Sequence, residues 1–144
     1  LTPGGITDKQ EYYKHFFTSF LELVHKELPG ITNSKKVGYD SWKSFPAGTS
    51  GYQYACAFRS GNRFSCELYI DTGDKEENKQ RFNTLYQNKE GIENKTGELS
   101  WERLDDRKAC RIAAYTDYTN DQEMLTWGIE KLKIFREVFK KYLV

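Results

Sequence analysis

The chain has 144 residues, which suits one domain with its own core. Its 22 basic and 21 acidic side chains give a net charge of +1, which excludes a nucleic-acid binder that works by bulk charge. Hydrophobic residues make up 38% of the chain and aromatic residues 15%, so large rings must supply much of the buried area. No segment approaches the ~18 apolar residues of a membrane span, and we expect no membrane contact.

The three cysteines lie far apart and form no CxxC motif, and the two histidines, His15 and His25, do not have zinc-ligand spacing. We therefore predict neither a metal site nor a cofactor. The odd number of cysteines favours a reducing compartment, which indicates a cytoplasmic location. Residues 1–9 lack the basic and then apolar regions of a signal peptide.

The first predicted element is an amphipathic helix. Thr7 and Gln10 have the spacing of a capping box, and apolar residues then recur every three or four positions as far as Leu28. Pro29 and Gly30 end this helix. Residues 39–45 predict a short edge strand, and residues 46–51 predict a turn.

Two alternating segments, 52–59 and 63–70, predict a β-hairpin. A three-residue loop at 60–62 keeps both apolar faces together, whereas a two-residue loop does not. The three-residue loop sets Cys56 opposite Cys66. We expect two buried thiols at these positions rather than a disulfide.

A second helix is predicted to begin at Asp74, with Glu77 reaching back to the cap, and to end at Gly97. Its expected buried face consists of Phe82, Leu85, Tyr86, Lys89 and Ile92. A second hairpin follows, in which a loop of two or four residues sets Trp101 opposite Cys110. The last helix is predicted to begin at Asn120, with Glu123 three residues later.

The predicted order is α-β-β-β-α-β-β-α. Because hairpins dominate, we predict an α+β fold with a mostly antiparallel sheet of four to five strands packed with three helices. The helices should cover the apolar face. The opposite face, which we call the outer face, is predicted to carry polar side chains: Gln53, Arg59, Arg63, Ser65, Glu67, Tyr69, Ser100, Glu102 and Arg111.

The outer face is the predicted binding surface. We select Arg59, Arg63, Glu67, Glu102 and Arg111 as its binding residues, with the arginines as phosphate contacts and the acids as positioning partners. The alternative interpretation is an ion-paired, solvated face that serves solubility, with Glu67 paired to Arg111. Among the tryptophans, Trp42 lies in an irregular segment and is the one freest to stack on a base.

The element order is also that of the PD-(D/E)xK nuclease core, so we tested this possibility directly. That core needs an acid and a lysine two residues later, to hold a divalent metal and steady the attacked phosphate. Glu67 is the candidate acid, but the residue two positions later is Tyr69. An active centre would need a displaced lysine, Lys79 or Lys89, from the following helix.

Several short motifs resemble the DUF4268 family of bacterial and archaeal domains. They are Glu67-Leu-Tyr-Ile, Asn78-Lys79, Ile92-Glu93, Leu99-x-Trp101-Glu102 and Arg111-Ile112. The likeness extends over nearly the whole chain, although residues 30–51 match poorly. The resemblance implies that residues 1–144 form a single domain, the C-terminal part of a larger protein. It also implies a nuclease-like domain in the same parent chain, and hence a link to defence or DNA processing. It carries no site residues to transfer.

We therefore expect a non-catalytic accessory domain associated with nucleic acid. One alternative is a diverged nuclease of the PD-(D/E)xK type that uses Glu67. Another is a protein-interaction or dimerisation domain that binds no nucleic acid. The sequence leaves the oligomeric state open.

Overall fold

The computed structural model describes residues 5–143. Residues 1–4, part of the segment 1–9 that was searched for a signal-peptide pattern, lie outside the described residues. The elements in chain order are α1 (Asp8–Glu27), β1 (Trp42–Pro46), β2 (Tyr52–Arg59), β3 (Arg63–Ile70), α2 (Lys75–Gln87), α3 (Lys89–Thr96), β4 (Ser100–Glu102), β5 (Cys110–Asp117) and α4 (Asp121–Phe139). The strands form one antiparallel sheet in the order β1-β2-β3-β5-β4. The predicted α+β class and the antiparallel sheet are confirmed.

The apolar side chains of all the helices in residues 5–143 meet one face of the sheet. The core cluster joins Phe20 of α1, Phe82 of α2, Ile92 of α3 and Leu132 of α4 to the even-numbered residues of β2 and β3. Aromatic rings pack edge-on within it; the centroids of Phe58 and Phe64, for example, are 5.1 Å apart. Large rings thus build the core, as the composition predicts. No helix in the described part is both long and apolar enough to cross a bilayer.

The first hairpin has the predicted register. Arg59 pairs with Arg63 and Cys56 pairs with Cys66 across a three-residue loop. Asn62 takes a positive φ of 57° there, a conformation that asparagine tolerates better than most residues. Both cysteines are buried free thiols, which confirms the expectation.

The prediction of three helices is wrong, because the segment after Asp74 forms two. Asn88 ends α2 and begins α3, and its side-chain amide donates to the carbonyl of Thr84 at 3.0 Å. An asparagine side chain that competes for backbone partners interrupts a helix in this way. Tyr86, which was predicted to lie on the buried face, is exposed. The Asp74 cap is present, but it accepts from the amide of Glu76.

The second hairpin differs from the prediction in its register. Trp101 lies opposite Ile112 rather than Cys110, and seven residues connect β4 to β5. The ammonium group of Lys79 holds this connection through the carbonyls of Arg103, Leu104 and Ala109. Turn rules based on local sequence do not include such a distant partner. The first strand is also shifted, from the predicted 39–45 to Trp42–Pro46.

Candidate nucleic-acid interface

Glu67 is the centre of an ionic network on the outer face. Its Oε2 lies 2.6 Å from Nη2 of Arg59 and 2.9 Å from Nε of Arg111. The contact with Arg59 is a hydrogen bond, whereas the contact with Nε of Arg111 is too bent for one and is an ion pair. Glu67 is only 4% exposed, and a carboxylate at that depth requires compensating cations.

The network continues across β5 to β4. Arg111 stands directly opposite Glu102, and its Nη1 donates to Oε1 of Glu102 at 3.1 Å. The hydroxyl of Tyr115 donates to the other oxygen of Glu102. Burial lowers the pKa of Arg111, but Glu67 and Glu102 outweigh burial and hold this pKa above its ordinary value. Burial and the hydrogen bond to Glu102 raise the pKa of Tyr115 to about 12.

Strand alternation and register place these side chains together. Odd-numbered residues of β3 and β5 point to the outer face, since successive side chains of a strand alternate. Glu67 therefore faces the same side as Arg111 and Tyr115, and the β2–β3 pairing brings Arg59 to the hairpin end of that face. The ion pair between Glu67 and Arg111 that the alternative interpretation predicts is present, although Glu67 is buried rather than solvated.

Four of the five predicted binding residues thus touch one another, and Arg63 is the exception. Its Nε donates to the carbonyl of Ser60 at 3.2 Å, and its guanidinium lies 4.3 Å from the ring centroid of Tyr115. Within residues 5–143, no carboxylate lies within ion-pair distance of Arg63. Asp117 is its cross-strand neighbour, but Arg63 is the one arginine of the predicted set that forms no ion pair among the described residues.

A hollow of about 330 Å³ opens on the outer face beside Glu67, and we call it the sheet hollow. Three predicted binding residues line it, together with Trp42 and other side chains of β1 to β3; the lining is Ser41, Trp42, Ser44, Gln53, Ala55, Ala57, Phe58, Arg59, Glu67, Tyr69 and Arg111. Trp42 is 52% exposed, which agrees with the expectation that it is the freest tryptophan. The alternation of β2 places Ala55 and Ala57 on the outer face. Their small methyl groups leave the volume of the sheet hollow unfilled.

A second cleft, of about 440 Å³, lies at the tip of the β2–β3 hairpin, and we call it the hairpin-tip cleft. Its lining combines aromatic rings with basic side chains: Lys9, Tyr12, Tyr13, Phe58, Arg59, Ser60, Gly61, Asn62, Arg63 and Tyr118. Arg59 borders both this cleft and the sheet hollow. A larger hollow of about 690 Å³ lies against the turn at 46–51, where Asp71 is its one charged lining residue.

The hydroxyl groups of Tyr12 and Tyr118 both donate to Oδ1 of Asp121 at the edge of the hairpin-tip cleft. Burial and the hydrogen bond to Asp121 hold the pKa of Tyr12 far above its ordinary value. Tyr12 therefore stays a neutral ring beside the cleft, and Asp121 accepts hydrogen bonds from both tyrosines. The sequence did not indicate this triad, because Tyr12 is more than 100 residues from Tyr118 and Asp121.

Two residues of the motifs that resemble the DUF4268 family, Asn78 and Glu93, hold loops in place. The buried amide of Asn78 accepts from the backbone of Thr72 at 2.7 Å and donates to the carbonyl of Lys108 at 3.2 Å. Glu93 accepts from the amide of Leu99 at 2.9 Å and from the indole of Trp101 at 3.0 Å. These contacts give Asn78 and Glu93 a structural role in the fold.

The displaced lysine of the nuclease alternative does not lie beside Glu67. Lys79 is buried against the β4–β5 connection, where its ammonium group donates to three carbonyls. Lys89 lies over the ring of Tyr86, at 5.4 Å from the centroid. No group of three potential metal ligands among His, Cys, Asp and Glu comes together in the part of the chain that the structure describes.

Comparison with known proteins identifies the family. The family model for the domain of unknown function DUF4268 matches residues 12–143, which is nearly the whole chain. The chain belongs to this family, as the motifs predict. No curated protein and no solved structure matches the chain.

Proposed function

We propose that this domain is a non-catalytic accessory module that binds single-stranded nucleic acid. The observation that carries the proposal is the hairpin-tip cleft, which places half-buried aromatic rings beside basic side chains at one end of the sheet. Stacking platforms combined with a cationic path are the features by which proteins bind single strands without reading their sequence.

The charge distribution supports local rather than bulk attraction. The net charge is only +1, and the network around Glu67 neutralises most of the arginine charge on the outer face. Among residues 5–143, Arg63 at the hairpin tip forms no ion pair, and Lys9 is a second basic residue that lines the cleft. A phosphate between these two cations would meet two positive charges and one ring surface, which favours a backbone contact.

The aromatic side chains favour a single strand over a duplex. The rings of Tyr13 and Phe58 are 5.2 Å apart by their centroids, and both side chains are partly exposed. Duplex bases are already stacked on their neighbours, so only unpaired bases can use such rings. In a larger parent protein, the domain would hold a strand for a nuclease domain in the same chain.

Fluorescence anisotropy with a labelled oligothymidine of about 15 nucleotides tests the proposal. The test variant replaces Lys9 and Arg63 with Gln. The charge-matched control replaces Lys133 and Lys140 with Gln; these two lysines pair with Glu27 and Glu137 on the surface. Each lost phosphate contact lowers the slope of log affinity against log salt by about 0.7 for single strands. We expect the test variant to lose about 1.4 from this slope and to bind at least about tenfold more weakly at low salt.

The control variant should keep the affinity and slope of the natural protein. Equal losses in the test and control variants would show that the binding is diffuse and that the cleft is not its site. Absence of binding to oligonucleotides of several sequences at low salt would overturn the proposed function. A duplex bound as tightly as the single strand would remove the role assigned to the rings.

A further inference from the structure

The register of the sheet explains why a hollow exists on the outer face. Trp42 of β1 pairs with Ala57 of β2, and Ala55 of β2 pairs with Glu67 of β3. The row of Trp42 continues to Ser65 on β3, and the row of Glu67 continues to Ser44 on β1, so the tryptophan and the carboxylate lie diagonally across the two alanines. Strands two positions apart are separated by about 10 Å, and a methyl group fills little of that width. The gap is wide enough for a flat ring.

The carboxylate at the inner wall has an acceptor to spare. Both arginine contacts of Glu67 go to Oε2. No donor from the described residues is hydrogen-bonded to Oε1, although more than nine-tenths of the residue is buried. The small exposed part of Glu67 borders the sheet hollow. A ligand in the hollow that carries an N–H group would satisfy this acceptor.

A second wall of the hollow is the indole of Trp42, which is not part of the core cluster. Trp42 and Tyr86 are the large apolar side chains left exposed in residues 5–143, and only Trp42 borders the hollow. An exposed tryptophan beside a hollow is a stacking surface for a planar partner. A carboxylate and a ring that lie diagonally across a floor of methyl groups therefore favour a ligand that is flat and carries a hydrogen-bond donor.

Charge balance excludes a strongly charged ligand. Arg59, Arg111, Glu67 and Glu102 contribute two positive and two negative charges around the hollow. A cation such as a guanidinium group would displace or oppose the arginines, and an anion would oppose the carboxylate. A neutral heterocycle meets neither penalty.

We propose that the sheet hollow accepts one unpaired nucleobase that carries an exocyclic amine, stacked on Trp42 with its amine donating to Oε1 of Glu67. This proposal rests on the proposed function and adds base selectivity to it. Adenine, cytosine and guanine each carry an amine beside a ring nitrogen or carbonyl acceptor. Arg59 at the hollow or the amide of Gln53 supplies the donor for that acceptor.

Thymine and uracil present carbonyl groups on both sides of their single ring N–H. In the same pose a carbonyl oxygen would face the buried carboxylate, and two acceptors repel. The hollow should therefore disfavour these bases. Arg59 borders the hairpin-tip cleft as well, so a strand with its base in the hollow can continue toward Arg63.

Competition between oligodeoxycytidine and oligothymidine of equal length, followed by anisotropy, tests the base selectivity. The natural protein should bind the cytidine strand at least about tenfold more tightly, as expected for one hydrogen-bonded and stacked base. Trp42→Ala should weaken cytidine binding by at least about fivefold. Tyr86→Ala is the matched control, since it removes an equally exposed ring outside the hollow, and it should change neither affinity.

Glu67→Gln should abolish the preference for cytidine while keeping thymidine binding, because an amide can donate to a thymine carbonyl. Its melting temperature must be measured first, and Trp42→Ala tests the site independently because the replaced side chain lies at the surface. Equal binding of both strands by the natural protein, with the expected salt slope, would overturn the base proposal and leave the proposed function standing. If the natural protein binds neither the cytidine strand nor the thymidine strand, the base proposal and the proposed function are both overturned.

Discussion

Glu67 on β3 and Arg111 on β5 form an ion pair at 2.9 Å, with the carboxylate 4% exposed and the guanidinium shared with Glu102. A buried carboxylate between two arginines stabilises the sheet only as long as all partners are present. Removal of one partner leaves an uncompensated charge in a poorly hydrated place. The network is therefore a structural element as well as a wall of the sheet hollow.

We expect Glu67→Ala to lower the free energy of unfolding by about 3 kcal/mol, because Arg59 and Arg111 both lose their shared carboxylate. Glu102→Ala should cost only about 1 kcal/mol, since Arg111 keeps Glu67 and Glu102 itself is more exposed. Urea unfolding of both variants measures the difference. Equal losses would show that Glu67 has no central place in the network.

Lys79 is predicted to fasten the β4–β5 connection. Lys79→Met keeps the aliphatic stem but leaves the carbonyls of Arg103, Leu104 and Ala109 without their donor, which should cost about 3 kcal/mol. The connection contains Arg103, Arg107 and Lys108, so limited trypsin digestion should cleave it faster in this variant.

The matched control for the lysine is Lys89→Met, which removes only a contact with the ring of Tyr86. That change should cost less than about 1 kcal/mol and leave trypsin cleavage unchanged. The same cleavage rate in Lys79→Met and the natural protein would mean that the connection is held by other contacts.

Gly128 is predicted to be required for the approach of α4 to α1. A Cβ on Gly128 would lie 2.6 Å from Cε2 of Phe20 and 3.2 Å from Cε2 of Phe64, both in the packed core. Gly128→Ala should therefore destabilise the protein by about 2 kcal/mol, although alanine favours a helix by about 1 kcal/mol. Thermal unfolding should show a lower midpoint.

Gly91 provides the opposite case, since a Cβ there would meet its nearest atom, the hydroxyl oxygen of Tyr142, at an ordinary 3.5 Å. Gly91→Ala should raise stability by up to about 1 kcal/mol. If Gly128→Ala instead stabilised the protein, α1 and α4 would be able to move apart without a cost in free energy.

The sequence was sufficient for features that depend on short periods. Alternation in β2 and β3, together with the need to keep apolar faces joined, fixed the pairing of Cys56 with Cys66. The same alternation put Glu67 and Arg111 on one face and so predicted their ion pair. A period of two residues carries this information because a register error of one residue would expose the core.

Features that depend on distant partners could not be predicted in this way. The sequence rules placed Asn88 within a continuous helix, since helix propensity does not reveal which backbone groups a side chain will engage. They also predicted too short a β4–β5 connection, because Lys79, which holds it, lies 24 to 30 residues from its carbonyl partners. The sheet hollow is of the same kind, since it needs Trp42 and Glu67 on strands that do not pair with each other.

Tyr115 predicts a change of stability in alkaline solution. Its pKa is raised from 10.0 to about 12 in the folded protein, mainly by burial and then by the hydrogen bond to Glu102. A group whose pKa is raised by folding contributes stability that is complete below its unfolded pKa and is lost as the pH rises. The contribution of Tyr115 should therefore fade between about pH 10 and pH 12.

Tyr115→Phe removes that contribution at every pH. The stability difference between this variant and the natural protein should be larger at about pH 9 than at about pH 11, by roughly 1 kcal/mol because part of the ring remains in water. Urea unfolding at the two pH values gives both differences. The same difference at both pH values would mean that the hydroxyl group of Tyr115 is not held in the folded state.

The thiols of Cys56, Cys66 and Cys110 are all buried and free, so their chemical reactivity should report unfolding. Burial, and then the neighbouring Cys66, hold the pKa of Cys56 above its ordinary value, and burial raises the pKa of Cys110. The thiolate is the reactive form, so reaction with an aromatic disulfide reagent near pH 8 should be slow in the native protein and complete for three thiols in concentrated denaturant. The labelling rate should follow the free energy of unfolding and increase in Gly128→Ala. Rapid labelling of one thiol in the native protein, unchanged in that variant, would reveal a local opening of the sheet that the packed core does not predict.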